Sequence, residues 1–459
     1  MSQLLRTKPL EHFNLSPLRR CLKASDLVFL GVGAIIGAGV FVLTGIAAAT
    51  AAGPAIILSY LLSGIACAFT AFSYAELSSA IGGSGGAYGY TYAGLGEFFA
   101  WIIGWSLILE YGISVSAVAI GWSGYVDNIF QSVGIHLPTA IVNSSAEGGI
   151  MDLPAMLIIL ALTALLCLGV KQSARFNNII VFIKLIAIAI FIIAATKHFN
   201  IHHWKPFLPF GWQGVLHGAA IIFFAYIGFD AVATAAEETI DPQKNLPIGI
   251  ICSLILCTLI YIVVAGLLTG IAQYSTLNVS SPVSFALLNV GEHFAAGFVA
   301  AGAIAGLTTV MLVMFFGLTR IFYAMSHDGL LPKVFSQIHP ITHSPTRVII
   351  TCGVIISLIS GFMSMHEVAE LVNIGTLAAF VVVSLGVIVM RIRNPNMPRP
   401  FKAPFYPITP ILGILLCLLL IYSLSHVTQI RFLIWMGIGI VCYFLYGYRH
   451  SVLHKREKL

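Results

Sequence analysis

Three ionisable residues interrupt otherwise apolar stretches of the 459-residue chain: Glu110, Lys184 and Asp230. An ionisable side chain in apolar surroundings is costly, so its default reading is functional: a relay, a counter-ion or a ligand contact. Two other apolar stretches are broken by glycine instead. One reads Gly31-Val-Gly-Ala-Ile-Ile-Gly-Ala-Gly-Val-Phe41, the other Phe223-Phe-Ala-Tyr-Ile-Gly-Phe-Asp-Ala-Val232, and each centres on an Ile-Gly step, Ile36-Gly37 and Ile227-Gly228. A helix that breaks at such a step frees N–H groups at the start of one half and carbonyls at the end of the other. Free N–H groups and carbonyls of this kind are what a polar ligand can bond where no water is at hand. Either segment alone is equally accounted for by close helix packing; their pairing favours a binding site.

Other chemistry finds little support. His198, His202 and His203 share the stretch HFNIHHWKP, which is expected to be a solvated loop, because no cysteine or paired carboxylate completes four zinc ligands. The sequence holds no HExxH, GxSxG or P-loop, and no strand precedes the GxG of the first glycine segment, so no metal, cofactor or dinucleotide fold is expected. The acids and histidines do not gather as a nucleophile and base would, which argues against an intramembrane enzyme, and rings of like residues that line a channel are absent. Seven of eight cysteines fall in apolar runs without a CxxC pair and read as small hydrophobes.

The elements that hold these residues follow from composition. Apolar residues make up 59% of the chain and charged ones 9%, against about a quarter charged in soluble proteins, and mean hydropathy is +0.97. The apolar residues come in runs of roughly twenty, the length of a membrane-crossing helix. About twelve such spans fit: 27–50, 55–80, 97–126, 153–170, 176–196, 213–236, 247–270, 294–325, 348–365, 368–390, 408–426 and 430–448. An even number puts both termini on one side. Nineteen of the 23 lysines and arginines fall in the N-terminal segment, the even-numbered loops and the tail, which places that side in the cytoplasm. Basicity is thus a topology signal and not a nucleic-acid footprint. Glu237, Glu238 and Asp241, just before Pro242, are expected at a solvated cytoplasmic helix end. The polar, basic first 26 residues lead into a full-length span with no clear cleavage site, which argues against a cleavable signal peptide.

If spans 1–5 and 6–10 are repeats, five crossings each make the second insert upside down relative to the first, and weak points at corresponding positions of inverted halves point to a transporter's binding site. The motifs GVGAIIGAGVFVLTG (31–45), GGSGGAYGYTY (82–92), LEYG (109–112), FFAYIGFDAVATAAEE (223–238), DPQKNLP (241–247) and RIFYAMSHDGLLP (320–332) resemble those of the amino acid–polyamine–organocation superfamily, cationic amino acid transporter branch. The resemblance implies an all-α polytopic membrane protein with a five-plus-five inverted repeat, helices 1 and 6 broken, and two further C-terminal helices. The division is then 1–26 as a cytoplasmic N-terminal segment, 27–200 and 201–393 as the two repeats, and 394–459 as spans 11 and 12 with the tail.

The resemblance also assigns roles. Gly37, Ala38 and Gly39 present N–H groups to a substrate carboxylate; the carbonyls of Ile35, Phe224, Ala225 and Ile227 surround its ammonium. Phe224 matches an aromatic lid, or is a core aromatic; Met314 lines the side-chain pocket, or simply packs. Lys184 lies about eight residues into span 5, roughly 12 Å deep at 1.5 Å per residue, where sodium-coupled relatives of the fold bind Na⁺ between spans 1, 5 and 8. Thr308 and Thr309, in Ala305-Gly-Leu-Thr-Thr309, look like the span-8 part of that site. The lysine either exchanges a proton with occupancy, H⁺ in place of Na⁺, or is a fixed structural cation bonded to carbonyls and a threonine. Asp230 either steadies the second half of span 6 or reads a basic substrate side chain, and Glu110 either bonds within the bundle or relays a proton.

The expected function is sodium-independent, proton-coupled symport of small neutral or broad-range L-amino acids across the cell (inner) membrane, with the lipid bilayer, protons and the amino acid as partners. One charge moving through 100 mV is worth about 2.3 kcal/mol, enough for roughly a fifty-fold gradient. The alternatives are a lysine or arginine transporter and an exchanger without net proton movement. Oligomeric state is not readable from the sequence.

Overall fold

The computed structural model describes residues 6–8, 22–81, 86–132, 134–145, 148–167, 174–234, 239–337, 339 and 345–456. Glu237 and Glu238 lie outside them; Asp241 precedes Pro242 with a left-handed backbone, φ 46°, at the start of span 7. Among the described residues the structure is helical apart from turns, loops and a single bridge between Leu22 and Thr239.

The spans appear where the apolar runs put them, with two divided. Span 1 consists of Ala24–Ile35 and a second half over 39–52 that begins in a wide, π-type turn, Gly39–Leu43. Span 6 consists of Gly211–Ile222, a tight 3₁₀ turn Phe223–Tyr226, and Ala231–Thr234. The intact spans are Ile56–Ile81, Glu97–Ser132, Leu153–Cys167, Ala174–Lys197, Pro242–Ile271, His293–His327, Thr346–Phe362, Met365–Arg393, Ile408–Ser423 and His426–Cys442, the last continuing to His450. A short helix, Gly86–Gly94, joins spans 2 and 3.

The same order of elements occurs twice: a broken helix, a long one, the longest, a short one, and a fifth. Spans 3 and 8 are 36 and 35 residues, spans 4 and 9 are 15 and 17. At about 1.5 Å per residue the longest pair exceeds 50 Å, well beyond a bilayer core of about 30 Å, so these helices tilt and project from it. The outer surface of the bundle is apolar, with Phe182, Ile193, Leu259, Phe294 and Leu433 all exposed, as a protein solvated by hydrocarbon requires.

Inside, small residues bring the helices together. A Cβ at Gly302 would stand 2.4 Å from the Ala187 Cβ, and one at Gly121 3.0 Å from Val42 Cγ2, so glycine lets span 8 approach span 5, and span 3 approach span 1, closely. The end of the bundle that holds the termini is tied by charge. Lys8 Nζ lies 2.9 Å from Asp328 Oδ1, Tyr88 donates to Asp328 Oδ2 at 2.8 Å, and the Val452 N–H donates to the Asp328 carbonyl at 3.0 Å. Glu76 of span 2 accepts from Arg391 Nε of span 10 and from the Ala403 N–H, both at 2.8 Å.

Candidate functional site

At each break the backbone leaves the helical region at an isoleucine. Ile36 has φ −74°, ψ 103°; Ile227 has φ −62°, ψ 133°, and Gly228 follows at φ +117°. Only glycine takes that φ readily, and a Cβ there would in any case meet the Ala34 carbonyl at 2.9 Å. Nor is there room at Gly39, where a Cβ would sit 2.3 Å from both the Cα and the Cβ of Ala225. The two breaks therefore face each other at backbone contact.

Between them lies a cavity of about 10 Å³, the size of one water, bounded by spans 1, 3, 6 and 8. Ile35, Gly37, Ala38, Gly39, Phe224, Ile227 and Met314 all line it, so seven of the eight residues expected to contact a substrate converge here; the eighth, Ala225, packs on Gly39 behind the wall. Phe224, 6% exposed, borders the cavity rather than filling a distant core.

Side chains that the sequence reading did not single out satisfy much of the freed backbone. The Tyr261 hydroxyl of span 7 lies 2.8 Å from the carbonyls of both Ile35 and Ala225. A phenol carries one proton, so it bonds one of these carbonyls at a time. Tyr60 meets the Gly39 carbonyl at 3.3 Å and Thr44 Oγ1 at 2.6 Å, while Asn373 of span 10 donates to the carbonyls of Ala220 and Ile221 at 2.7 and 2.9 Å. Tyr60, Tyr226 and Tyr261 also pack ring against ring, with centroids 5.2 to 6.3 Å apart. No periodicity separates such residues from ordinary membrane-helix aromatics; only their contacts do.

Lys184 is fully buried and donates to the carbonyls of Gly33 and Ile36 at 2.7 and 2.9 Å. Those belong to the frayed end of the first half of span 1, where helix geometry leaves carbonyls without partners. The side chain lies along Gly306 of span 8, whose absent Cβ would stand 3.0 Å from the lysine Cε. The lysine thus joins spans 1, 5 and 8. Thr308 and Thr309 depart from expectation: their hydroxyls return to their own helix, at Ile304 (2.8 Å) and Gly306 (2.8 Å), and Thr308 also accepts from Trp122 Nε1 at 3.0 Å. Both hydroxyls donate to carbonyls of their own helix, and the acceptors of the Lys184 ammonium are the two span-1 carbonyls.

Asp230 accepts from the Gly228 N–H at 3.3 Å and from Tyr111 at 3.2 Å, which anchors the extended turn of span 6 to span 3. It is not among the cavity-lining residues. Glu110 is 1% exposed, and its carboxylate oxygens have no hydrogen-bond partner among the described residues. Of the histidines, His198 meets Glu292 at 3.1 Å and His203 the Gly270 carbonyl at 2.8 Å.

The sequence as a whole is similar to known proteins. A family model described as amino acid permease matches residues 22–449. A methylthioribose transporter of Bacillus subtilis is 48% identical over 461 residues, 99% of this chain and 100% of that protein. The branched-chain amino acid permease BcaP of the same organism is 48% identical over 445 residues, 95% of each chain, and a vacuolar cationic amino acid transporter 4 of Arabidopsis thaliana is 37% identical over 86% of this chain and 68% of its own.

Proposed function

This chain belongs to the amino acid permease family of the amino acid–polyamine–organocation superfamily, and from that premise we propose that it is a sodium-independent, proton-coupled importer of small neutral L-amino acids. The observation that carries the reading is the meeting of two helix breaks around one cavity. The amides of Gly37, Ala38 and Gly39 head one half-helix, and the carbonyls of Ile35, Phe224, Ala225 and Ile227 end others. A carboxylate and an ammonium bind there without any charged side chain. Apart from Ser114 the wall is apolar, with Val118, Val310 and Met314 opposite the breaks, and no acid among the described residues lines it. A lysine or arginine side chain would meet no carboxylate within this lining, which favours a neutral side chain.

Coupling is assigned to Lys184, whose ammonium occupies the junction of spans 1, 5 and 8. It bonds the carbonyls of Gly33 and Ile36, so its charge state bears directly on the residues beside Ile35 and Gly37. Both termini, with the Lys8–Asp328 pair, are assigned to the cytoplasm by the lysine and arginine bias, and the two five-span repeats to 27–200 and 201–393. Reconstitution in liposomes tests the reading: uptake of labelled alanine follows an inward proton gradient in the wild type, ignores sodium, and loses its pH response in Lys184→Ala. Uptake driven by sodium and indifferent to pH overturns it, and counterflow that needs internal substrate and ignores pH identifies an exchanger.

A second reading rests on the full-length similarity to a methylthioribose transporter. A neutral thioether sugar would leave the amides and carbonyls at the breaks without ionic partners. Inhibition of uptake by methylthioribose and not by any amino acid selects that reading.

A further inference from the structure

Among the described residues Ser114 is the single polar side chain in the lining of the cavity. It is 2% exposed, and among the described residues its hydroxyl has no hydrogen-bond partner. That is unlike its neighbours. Ser116 on the same helix bonds the carbonyls of Gly112 and Ile356, and Thr309 of span 8 bonds that of Gly306. A buried hydroxyl that turns away from its own helix is costly, and such groups call for an explanation by function or a bound partner.

Its place in the cavity indicates what that partner is. Spans 3 and 8 run antiparallel: a Cβ at Gly317 would meet the Tyr111 ring at 2.9 Å, and Trp122 bonds Thr308. On this register Val118 comes opposite Val310, and Ser114 opposite Met314, one turn further along. Val310 adjoins Gly37, with 3.1 Å between its Cγ2 and a Cβ placed there. The Val118–Val310 pair therefore flanks the amides of span 1, and the Ser114–Met314 pair lies beyond it, towards Tyr111 and Asp230. A ligand whose charged ends sit at the breaks extends its side chain towards Ser114 and Met314.

We propose that Ser114 is a specificity-determining residue: its hydroxyl pairs with a side-chain hydroxyl of the transported amino acid, so that threonine and serine are taken in preference to apolar isosteres. The proposal rests on the amino acid reading above and names its substrate class. An apolar pocket barely distinguishes a methyl from a hydroxyl, whereas a pocket holding its own buried hydroxyl penalises a substrate that leaves it unpaired. Threonine and valine are the matched pair, equal in shape and different in that one group.

The test is initial-rate uptake of labelled threonine and labelled valine by the reconstituted full chain, as wild type, Ser114→Ala and Ser116→Ala. The ratio of kcat/KM for the two substrates is internal to each variant, so partial loss of folded protein does not move it. The ratio is expected to fall towards valine by about tenfold in Ser114→Ala and to stay at the wild-type value in Ser116→Ala, whose hydroxyl is already bonded. An unchanged ratio in Ser114→Ala, or an equal change in both variants, overturns the proposal. If wild-type liposomes take up neither amino acid while transporting methylthioribose, the parent reading fails first and the proposal with it.

Discussion

Gly39→Ala adds one methyl group at the point where the two broken helices touch. The new Cβ would lie 2.3 Å from the Ala225 Cα and Cβ, whereas ordinary contact begins at 3.4 Å, so about 1.1 Å must be gained between span 1 and the span-6 turn. Both sides are backbone or the first side-chain atom, so no rotamer change provides it. Gly37→Ala adds the same methyl two residues earlier, 3.1 Å from Val310 Cγ2, a shortfall of about 0.3 Å against a side chain that can turn. Both variants keep the amide N–H, so they differ in displacement alone. Overpacking of this kind costs about 1–3 kcal/mol, which at about 1.4 kcal/mol per decade is roughly a five- to 150-fold loss of affinity. Titration calorimetry with alanine on the purified protein is expected to show that loss in Gly39→Ala and less than about fivefold in Gly37→Ala, with thermal melts in detergent reporting that both are folded. Wild-type affinity in Gly39→Ala, or the reverse order of the two variants, would refute the reasoning.

Three other substitutions probe the surroundings of the site. Lys184→Met keeps the aliphatic packing on Gly306 but leaves the Gly33 and Ile36 carbonyls without their donor; proton-driven accumulation is expected to vanish while counterflow survives at a reduced rate, and full accumulation would contradict the coupling role. Tyr261→Phe removes the proton shared between Ile35 and Ala225; a lost hydrogen bond of about 1 kcal/mol predicts a several-fold change in alanine affinity, and calorimetry showing no change would dissociate Tyr261 from the site. Lys8→Ala breaks the pair with Asp328 that ties the N-terminal segment to the end of span 8; with the eight native cysteines replaced, faster labelling of a cysteine introduced at Ser326 is expected, and unchanged labelling would make the tie incidental.

How far the sequence carries depends on what each feature must compete with. A glycine-rich Ile-Gly step inside a twenty-residue apolar run competes with ordinary close packing, and its recurrence in two spans is what favours a break; both breaks fall at that step, at Ile36 and Ile227. Lys184 is equally legible, because a lysine among isoleucines and alanines needs a reason that an apolar residue does not. Ser114, Tyr261 and Asn373 were not. Serine and tyrosine are tolerated throughout membrane helices, and what distinguishes these three is the carbonyl or cavity each faces, which is set by helix rotation and not by spacing. Thr308 and Thr309 stand in the expected segment, yet a threonine hydroxyl in a helix can always return to a carbonyl of its own turn, and both do. Boundaries slipped for a related reason. Span 3 runs to Ser132 rather than 126, because its last turns are polar enough to leave the bilayer while remaining helical, and the Gly86–Gly94 helix carries too many glycines for propensity to reveal it.

The central claim is that paired backbone ends, and not side-chain charges, hold a doubly charged ligand. Titration calorimetry of the purified wild-type protein with alanine, alanine methyl ester and N-acetylalanine tests it most directly. Each ester or acetyl group removes one charge with little change of side chain, and a site built to bond the missing group rejects the analogue strongly. Loss of about 100-fold or more in affinity for both derivatives is the predicted result. Binding of either derivative within a few-fold of alanine would contradict the account.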